Sequence, residues 1–318
     1  MDADDIRRRR DEVAERHGAW TAHNIHLGHG VYTMGDPSAG GNESRMRRAV
    51  QATADLTGRP FEQLRVVDLG SLEGSYAVEF ASRGAAVVAV EGREANIEKV
   101  RLAKEALALE RLDLVQDDVR NFSRERYGAF DVVLAVGIVY HLDVPVVFEF
   151  LANIAAACTN VAIVDTEIGA AEAATETQVH DGVAYRGFFY EEPTGAPHDR
   201  DVLWSSIGNP RSFVFSRASL HNALLQAGFT TTAECHGPPV IDARVERATF
   251  LALKGERQRF VSIPALNDLA PREVPEFTLA LPGAAGTPPA PAPLPLARLR
   301  RLVPAAVKRR VRHLMDGR

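Results

Sequence analysis

The sequence contains no apolar run approaching the roughly 18 consecutive residues that a membrane-spanning helix needs. Residues 1–18 are mostly charged and polar, without the apolar stretch of a signal peptide. We therefore expect the protein to remain in the cytoplasm. Cysteine is also scarce, because the chain has only Cys158 and Cys235, and neither lies in a C-x-x-C or other metal-ligand spacing. This excludes a disulfide framework and predicts two reduced thiols.

Negative charge dominates most of the chain. The 318 residues carry a formal net charge of −5 at pH 7, although residues 298–318 contain eight Lys or Arg against one acidic residue and are therefore +7. Residues 1–297 together carry −12, which is a poor surface for a long polyanion. This balance disfavours nucleic acid as a partner. The sequence leaves the oligomeric state open.

Between residues 43 and 256, segments with helical periodicity alternate with short apolar segments typical of strands. The predicted helices span 43–58, 74–83, 94–109, 144–157 and 217–227. The predicted strands span 65–69, 86–90, 112–115, 130–136 and 161–165, with two more near 229–235 and 247–254. Residues 167–212 interrupt the alternation with polar, glycine and aromatic residues. The pattern predicts an α/β fold: a Rossmann-like, doubly wound, mostly parallel sheet with helices on both faces and an antiparallel edge hairpin.

The flanking segments differ in composition from residues 43–256. Residues 1–42 combine a charged helical segment with a Gly- and His-rich stretch, which predicts a lid or entry segment. The composition of residues 257–297 predicts an irregular segment and a Pro/Ala-rich linker. The spacing of apolar and basic residues over 298–318 predicts a basic amphipathic helical tail. Such a tail is typical of peripheral contact with the inner membrane surface, of nucleic-acid contact or of docking on a partner. We favour the membrane, so deleting the tail should abolish binding to anionic vesicles.

The segment Asp68-Leu-Gly70-Ser71-Leu-Glu-Gly74 follows a predicted strand and precedes a predicted helix. Gly70 permits a tight turn and a close approach of the backbone to a ligand, and Gly74 permits the following helix to begin nearby. Leu72 stands where the fuller G-x-G-x-G pattern has its central glycine. A glycine-rich turn alone is a weak signal, and Asp68 is also compatible with a helix cap.

Two further acidic residues follow the next two predicted strands. Glu91 lies at the end of the second strand, where a carboxylate can accept hydrogen bonds from both hydroxyls of a ribose. Asp118 follows the third strand and can accept from an adenine amino group while Val119 donates its backbone N–H to a ring nitrogen. Solvated loop acids are the alternative for each residue alone. Because the carboxyl ends of parallel strands meet at one edge, the three acids together predict a crevice for a nucleotide-like cofactor.

The stretch VVDLGSLEGSYAVEFASRGAAVVAVEGREANIEKV, followed by LVQDDVRNF, resembles motif I, the acidic residue and the adenine loop of class I S-adenosylmethionine-dependent methyltransferases. The resemblance spans about residues 60–170 and implies that residues 43–256 form a methyltransferase domain with S-adenosylmethionine as cofactor. It places Asp68 and Gly70, with their loop, at the methionine end of the cofactor. It places Glu91 at the ribose and Asp118 at the adenine. An NAD-dependent Rossmann enzyme is disfavoured because the G-x-G-x-x-G form is missing.

Three other segments are similar to the family of tRNA wobble-uridine carboxymethyltransferases and its relatives. They are HNIHLGHGVYTMG, AVGIVYHLDVP and NPRSFVFSRASLHNALLQAGF. This resemblance implies that Gly137, Tyr140 and His141 lie at the carboxyl end of the fourth strand and face the transferred group. It also implies that residues 20–34 help to close the site.

The chain departs from the tRNA enzymes at one functional position. Those enzymes hold a carboxylated cofactor with a lysine, whereas this chain has no lysine before Lys99. An arginine would have to replace it, namely Arg45, Arg47 or Arg48. We therefore predict a relative of that family that uses an ordinary methyl donor and a different acceptor.

Methyl transfer from a sulfonium is an in-line displacement, so the protein must align the acceptor and deprotonate it where it is a hydroxyl. His141, beside Tyr140, is the first candidate base, because imidazole titrates near neutral pH. Asp165, at the end of the fifth strand, is the second. The alternative for His141 is a packing or capping role in the loop before Pro145.

Histidine and aromatic residues outside these motifs have plainer interpretations. His23, His26 and His29 are spaced by three residues, but no carboxylate or thiolate signature accompanies them, so we predict no metal site. Six aromatic residues are candidates either for an acceptor pocket or for the core: Trp20, Tyr185, Phe188, Phe189, Tyr190 and Trp204.

The sequence therefore favours a methyltransferase that modifies a hydroxyl of a small-molecule or glycan-like acceptor, including a lipid-linked one. One alternative is a tRNA wobble-uridine methyl- or carboxymethyltransferase, which salt-sensitive tRNA binding would distinguish. The other is a non-catalytic S-adenosylmethionine-binding module, in which residues 20–34 and 185–213 would fill the crevice.

Overall fold

The computed structural model describes residues 1–39, 43–170, 173–192, 203–241 and 245–256. The linker predicted at 257–297 and the basic tail predicted at 298–318 lie outside the described residues. Seven helices occur in the described part of the chain. They are α1 (Ala3–His17), α2 (Glu43–Thr57), α3 (Ser75–Ser82), α4 (Glu94–Ala106), α5 (Arg124–Tyr127), α6 (Val146–Ala157) and α7 (Arg217–Gln226). No helix in these ranges is long and apolar enough to cross a membrane.

Ten strands accompany these helices. They are β1 (Arg65–Leu69), β2 (Ala86–Glu91), β3 (Leu112–Gln116), β4 (Phe130–Val136), β5 (Cys158–Gly169), β6 (Glu176–His180), β7 (Val183–Glu191), β8 (Arg211–Phe215), β9 (Thr231–Ile241) and β10 (Val245–Leu253). Seven of them form one sheet in the order β3-β2-β1-β4-β5-β10-β9. The first five are parallel, and β10 runs antiparallel to both β5 and β9. This confirms the Rossmann-like, mostly parallel sheet with an antiparallel edge hairpin.

The parallel strands are apolar because helices cover both faces of the sheet. Successive β1 residues alternate between the two faces: Val66 packs in one core cluster and Val67 in the other, and both are fully buried. Phe80 of α3 lies on the Val66 side, and Ile154 of α6 lies on the Val67 side. The chain order of the strands reverses between β1 and β4, which in open α/β sheets creates a crevice at their carboxyl ends.

Two features of the sheet region differ from the prediction. The fifth strand, predicted at 161–165, extends over Cys158–Gly169, because β10 pairs with it from Val161 to Gly169. Residues 167–212, which interrupt the helix–strand alternation, contain most of a second sheet in which β7 lies between β6 and β8, all antiparallel. The alternating burial of Tyr185, Arg186 and Gly187 in β7 is typical of such a strand.

The structure separates the candidate aromatic residues into buried core residues and exposed ones. Tyr185 is 1% exposed and lies against Phe148 and Phe215, so it is a core residue rather than a pocket residue. Trp20 is also buried, whereas Tyr190 and Trp204 are more than two-fifths exposed. Phe188 and Phe189 are partly exposed, so Tyr190 and Trp204 are the most exposed of the candidate aromatics.

Candidate functional site

The loop after β1 lies at the bottom of the crevice. Asp68 is 2% exposed and accepts a hydrogen bond from the Ala77 amide at 3.1 Å, so it ties the end of β1 to the first turns of α3. Burial, with a contribution from the charge of Glu91, raises the pKa of Asp68 to about 7. Gly70 has φ +69°, and a Cβ atom there would lie 3.0 Å from the Ile138 side chain that follows β4. The two strand ends are thus in direct contact at Gly70.

Leu72 and Gly74 of this loop depart from the roles expected of a glycine-rich turn. Leu72, in place of the central glycine, still adopts a left-handed conformation with φ +51°. Gly74 has φ +83°, and a Cβ atom there would lie 2.6 Å from Val100 of α4. Glycine at 74 is therefore required by the packing of α3 against α4, whatever its role toward a ligand.

Glu91 joins this loop to the end of β2. Its carboxylate is 5% exposed and accepts hydrogen bonds from the amides of Leu72 and Arg93, both at 2.9 Å, and from Asn96 Nδ2 at 3.3 Å. Burial raises the pKa of Glu91, and these three donors oppose the rise. A carboxylate accepts about four hydrogen bonds, so Glu91 retains acceptor capacity for a ligand hydroxyl.

Two adjacent acids follow β3, and they differ in exposure. Asp117 is bound by Asn121 and the Tyr127 hydroxyl, and its pKa is lowered because these hydrogen bonds outweigh burial. Asp118 begins a short turn by accepting from the Arg120 amide at 2.9 Å, and its carboxylate pairs with the Arg120 guanidinium. Val119 is buried directly beside it. Asp118 is therefore the more accessible acid at this strand end.

A network of charged and hydroxyl groups occupies the ends of β4, β5 and β10. Asp165 accepts from Arg247 Nε at 2.6 Å and from the Thr249 hydroxyl at 2.6 Å, and Arg247 Nη1 donates to the Tyr140 hydroxyl at 3.1 Å. Gly137, with φ +83°, lies against Arg247 Nη2 and donates its amide to the Asp165 carbonyl at 2.7 Å. Burial raises the pKa of Tyr140. Both Asp165 oxygens are therefore engaged in hydrogen bonds.

Arg247 and Thr249 were not among the candidates from the sequence. They join the network because β10 pairs antiparallel with β5 and Thr249 lies directly opposite Asp165. Helix α2 adds two of the arginines considered in place of the missing lysine. Arg45 Nη1 lies 3.5 Å from Asp165 Oδ1, and Arg48 donates to Thr249 at 2.9 Å.

His141 lies in a short turn after β4. Its imidazole forms a hydrogen bond with Glu192, which directly follows β7. His141 Nδ1 is 3.0 Å from Glu192 Oε1, and the two residues are 7% and 5% exposed. Ser212 donates its hydroxyl to the same oxygen, and the Ser206 amide lies 3.4 Å from Oε2. Glu192 comes from the segment that interrupts the helix–strand alternation and matches no motif, so the sequence carries no signal for it.

The stretch around His23 is attached to the β1 loop through Glu73. This buried carboxylate accepts from the amides of Thr21, Ala22 and His23 at 2.8 to 3.0 Å and pairs with Lys99 Nζ at 3.0 Å. His23 Nδ1 accepts from the Ser75 amide at 3.2 Å, and burial lowers the His23 pKa to about 4. The described residues contain no group of three or more His, Cys, Asp or Glu arranged to hold a metal ion.

Comparison with known proteins places these features in a family context. Residues 66–160 match the sequence model of a family described as a methyltransferase domain, Methyltransf_25. No curated protein matches the chain in sequence. Among solved structures, the N-terminal domain of EvdMO1, crystallised in the presence of S-adenosylhomocysteine and D-fucose, aligns with a TM-score of 0.62 at 22% identity. The alignment covers 80% of this chain and 98% of that one.

Two further structures align over similar parts of the chain. A longer structure of EvdMO1 has a TM-score of 0.54 at 22% identity, covering 80% of this chain and 48% of that one. The 1,6-didemethyltoxoflavin-N1-methyltransferase of Burkholderia thailandensis has a TM-score of 0.43 at 20% identity, covering 68% of this chain and 80% of that one. At these identities the EvdMO1 alignments establish a shared fold.

The crevice residues fit an adenosyl cofactor. Glu91 offers a buried carboxylate to ribose hydroxyls, and Ser71 Oγ is buried with no hydrogen-bond partner among the described residues. Gly70 and Gly137, both with positive φ, present backbone without side chains at the ends of β1 and β4. The fold, these groups and the match over residues 66–160 agree. The chain therefore carries an S-adenosylmethionine-dependent methyltransferase domain.

Proposed function

We propose that the protein transfers a methyl group from S-adenosylmethionine to a hydroxyl of a small-molecule or glycan-like acceptor, with His141 as the general base. The observation that carries this proposal is the buried pair of His141 and Glu192 beside the end of β4. A hydroxyl needs a base in a way that an amine or a thiolate does not.

The hydrogen bonds of Glu192 determine which nitrogen of His141 can act. Burial opposes ionisation of Glu192, but its contacts with His141 and Ser212 hold its pKa below the ordinary value, so it is a carboxylate near neutral pH. A carboxylate only accepts hydrogen bonds, so Nδ1 of His141 carries the proton. In the neutral ring Nε2 then has the free lone pair, and no described residue forms a hydrogen bond with it. Nε2 is the basic atom.

The reaction assigns a task to each part of the site. The bound cofactor supplies a methyl group on a positively charged sulfur. Glu91 and Asp118 bind and orient the adenosyl part, and the loop at Gly70 and Ser71 lies at the methionine end. His141 Nε2 would take the hydroxyl proton as the acceptor oxygen bonds to the methyl carbon and the bond from that carbon to the sulfur breaks, which leaves neutral S-adenosylhomocysteine. Glu192 would stabilise the imidazolium that forms.

The acceptor class rests on chemistry near the site and on one neighbour. The EvdMO1 domain with the same fold was crystallised in the presence of D-fucose, a sugar with several hydroxyl groups. The net charge of −12 over residues 1–297 disfavours the tRNA alternative. Membrane contact through residues 298–318 remains a prediction, because that tail lies outside the described residues.

Cofactor binding is tested first, by calorimetric titration of the purified chain with S-adenosylmethionine. Glu91→Gln should weaken binding at least about tenfold, because two charge-assisted hydrogen bonds to ribose are lost. The matched control is Glu94→Gln, an exposed acid three residues further on, which should bind as wild type does. Wild-type protein that is folded but does not bind would contradict the proposed cofactor site.

Methyl transfer is then tested with radiolabelled cofactor and a panel of free sugars, glycosides and phenolic natural products, with bulk tRNA as the competing acceptor. For any sugar or phenol accepted, His141→Asn should lower kcat by about 10²- to 10⁴-fold while S-adenosylmethionine still binds. Full activity in His141→Asn would exclude it as the base. Transfer to tRNA alone would favour the tRNA alternative, and binding without transfer would favour a non-catalytic module.

A further inference from the structure

Residues 203–209, called the bridging segment below, are attached at one end to the cofactor side of the crevice. The buried guanidinium of Arg93 donates to the carbonyl oxygens of Ser205 and Ser206 at 2.9 and 3.1 Å. Asn96 Nδ2, which also reaches Glu91, lies 3.4 Å from the Leu203 carbonyl. The residues that surround the ribose-site acid thus also hold this segment.

The other end of the bridging segment is attached to the base. The Ser206 amide lies 3.4 Å from Glu192 Oε2, and the Ser206 hydroxyl donates to the Asn209 carbonyl at 3.2 Å. Asn209 Nδ2 donates to the backbone carbonyl of His141 at 3.1 Å. The segment therefore contacts both the carboxylate behind the imidazole and the backbone that carries it.

Arg93 contacts both Glu91 and the bridging segment. Its backbone amide donates to Glu91 Oε1, while its side chain extends to the bridging segment. Burial lowers the pKa of Arg93, but the charges of Glu91 and Glu192 both oppose that change, so the guanidinium lies within the field of both acids. The guanidinium is buried, and its hydrogen bonds go to the Ser205 and Ser206 carbonyls of the bridging segment.

We propose that Arg93 is a positioning residue for the general base. Through the bridging segment it fixes Glu192 and the His141 backbone, so that the Nδ1–H tautomer is selected and Nε2 faces the acceptor. Arg93 itself touches neither acceptor nor methyl group. The same contacts link the ribose acid to the base, so the two sides of the crevice are organised as one unit. This inference rests on the proposed function of His141.

The test reads the tautomer of His141 directly, without an acceptor. Protein labelled with ¹⁵N-histidine is studied by long-range ¹H–¹⁵N correlation at a pH where the ring is neutral, with His141→Asn to assign the signals. Wild type should show the Nδ1–H form, and Arg93→Gln should move a measurable part of the population to the Nε2–H form. The matched control is Arg111→Gln, which removes a guanidinium bound to the carbonyls of Glu62 and Gly84, away from the crevice. The control should keep the wild-type tautomer.

Asn209→Ala provides a second variant in case Arg93→Gln does not fold. It leaves Arg93 in place and removes the contacts of Asn209 Nδ2 with the backbone carbonyls of His141 and Arg211 and with the Ser212 hydroxyl. It should shift the tautomer in the same direction. A His141 ring that stays in the Nδ1–H form in every folded variant would overturn the proposal.

Kinetics separate this inference from the proposed function. Where an acceptor is known, Arg93→Gln should lower kcat about tenfold and change the KM for the cofactor less than threefold. A tautomer shift in a protein without methyl transfer would leave the positioning role standing and reject the function. Methyl transfer by a protein in which Arg93→Gln leaves the His141 tautomer unchanged would support the function and reject the positioning role of Arg93.

Discussion

Individual glycines in this protein are required for different physical reasons, as Gly74 and Gly30 illustrate. Both have positive φ, a conformation that costs an L-residue about 1 to 2 kcal/mol. A Cβ atom at Gly74 would lie within 2.7 Å of both Val100 methyl carbons, whereas one at Gly30 would meet nothing within 4 Å. Only Gly74 therefore combines the conformational requirement with a packing requirement.

We expect Gly74→Ala to lower the free energy of unfolding by about 2 kcal/mol more than Gly30→Ala does, because overpacking adds to the backbone cost. Urea denaturation of both variants measures the difference. In a Val100→Ala background the extra cost of Gly74→Ala should largely disappear, since the methyl groups it meets are gone. Equal losses for both glycines would show that Val100 moves aside easily.

At the scale of elements, a single buried carboxylate attaches the N-terminal stretch to α3 and α4. Three successive amides, from Thr21 to His23, donate to one buried carboxylate, Glu73, which also pairs with the fully buried Lys99. Burial alone would raise the pKa of Glu73, but Lys99 and the three amides lower it. One side chain thus holds the predicted entry segment against the loop after β1.

Glu73→Gln should destabilise the protein by about 3 to 5 kcal/mol, because it leaves the Lys99 charge buried without a counter-charge. Hydrogen exchange at the amides of Thr21, Ala22 and His23 should quicken more than at core amides. The control Glu98→Gln removes an exposed pair with Arg101 on the same helix and should cost less than about 1 kcal/mol. The double change Glu73→Gln with Lys99→Met should recover part of the loss, because it removes the unpaired buried charge and keeps a side-chain oxygen as acceptor for the amides. Faster exchange at the amides of Thr21–His23 alone, without a lower free energy of unfolding, would contradict this prediction.

For the whole molecule, two buried groups make stability depend on pH in opposite senses. The pKa of Asp68 is raised to about 7, so the native state keeps a proton that the unfolded chain releases, and stability falls as pH rises from about 4 to 7. The pKa of His23 is lowered to about 4, so the unfolded chain binds the extra proton, and stability falls as pH drops from about 6.5 to 4.

The two substitutions should therefore diverge with pH. Relative to wild type, Asp68→Asn should gain stability on the order of 4 kcal/mol between pH 4 and pH 8. His23→Gln should lose about 3 kcal/mol over the same interval, again relative to wild type. Urea denaturation at half-unit pH steps measures both curves. Parallel curves for wild type and either variant would show that the replaced group does not titrate differently on folding.

The sequence by itself determined the parts of this protein that depend on local pattern. Strand–helix alternation predicted the parallel sheet and its edge hairpin, and the spacing of Asp68, Glu91 and Asp118 after successive strands brought three acids to one sheet edge. Side chains at the ends of parallel strands converge wherever such a sheet forms, so one-dimensional spacing was enough. The assignment of these acids to parts of the cofactor remains a prediction.

Only the tertiary structure decided which distant residues complete the site. Arg247 meets Asp165 because β10 pairs with β5. Glu192 meets His141 because a second sheet, which sequence patterning did not predict, packs against the turn after β4, where the Phe213 amide donates to the Leu142 carbonyl. Partners this far apart in the chain leave no local periodicity, since their contact depends on strand pairing and loop closure rather than on helical or strand repeat. The proposed base His141 and the carboxylate of Glu192 were brought together only in the folded chain.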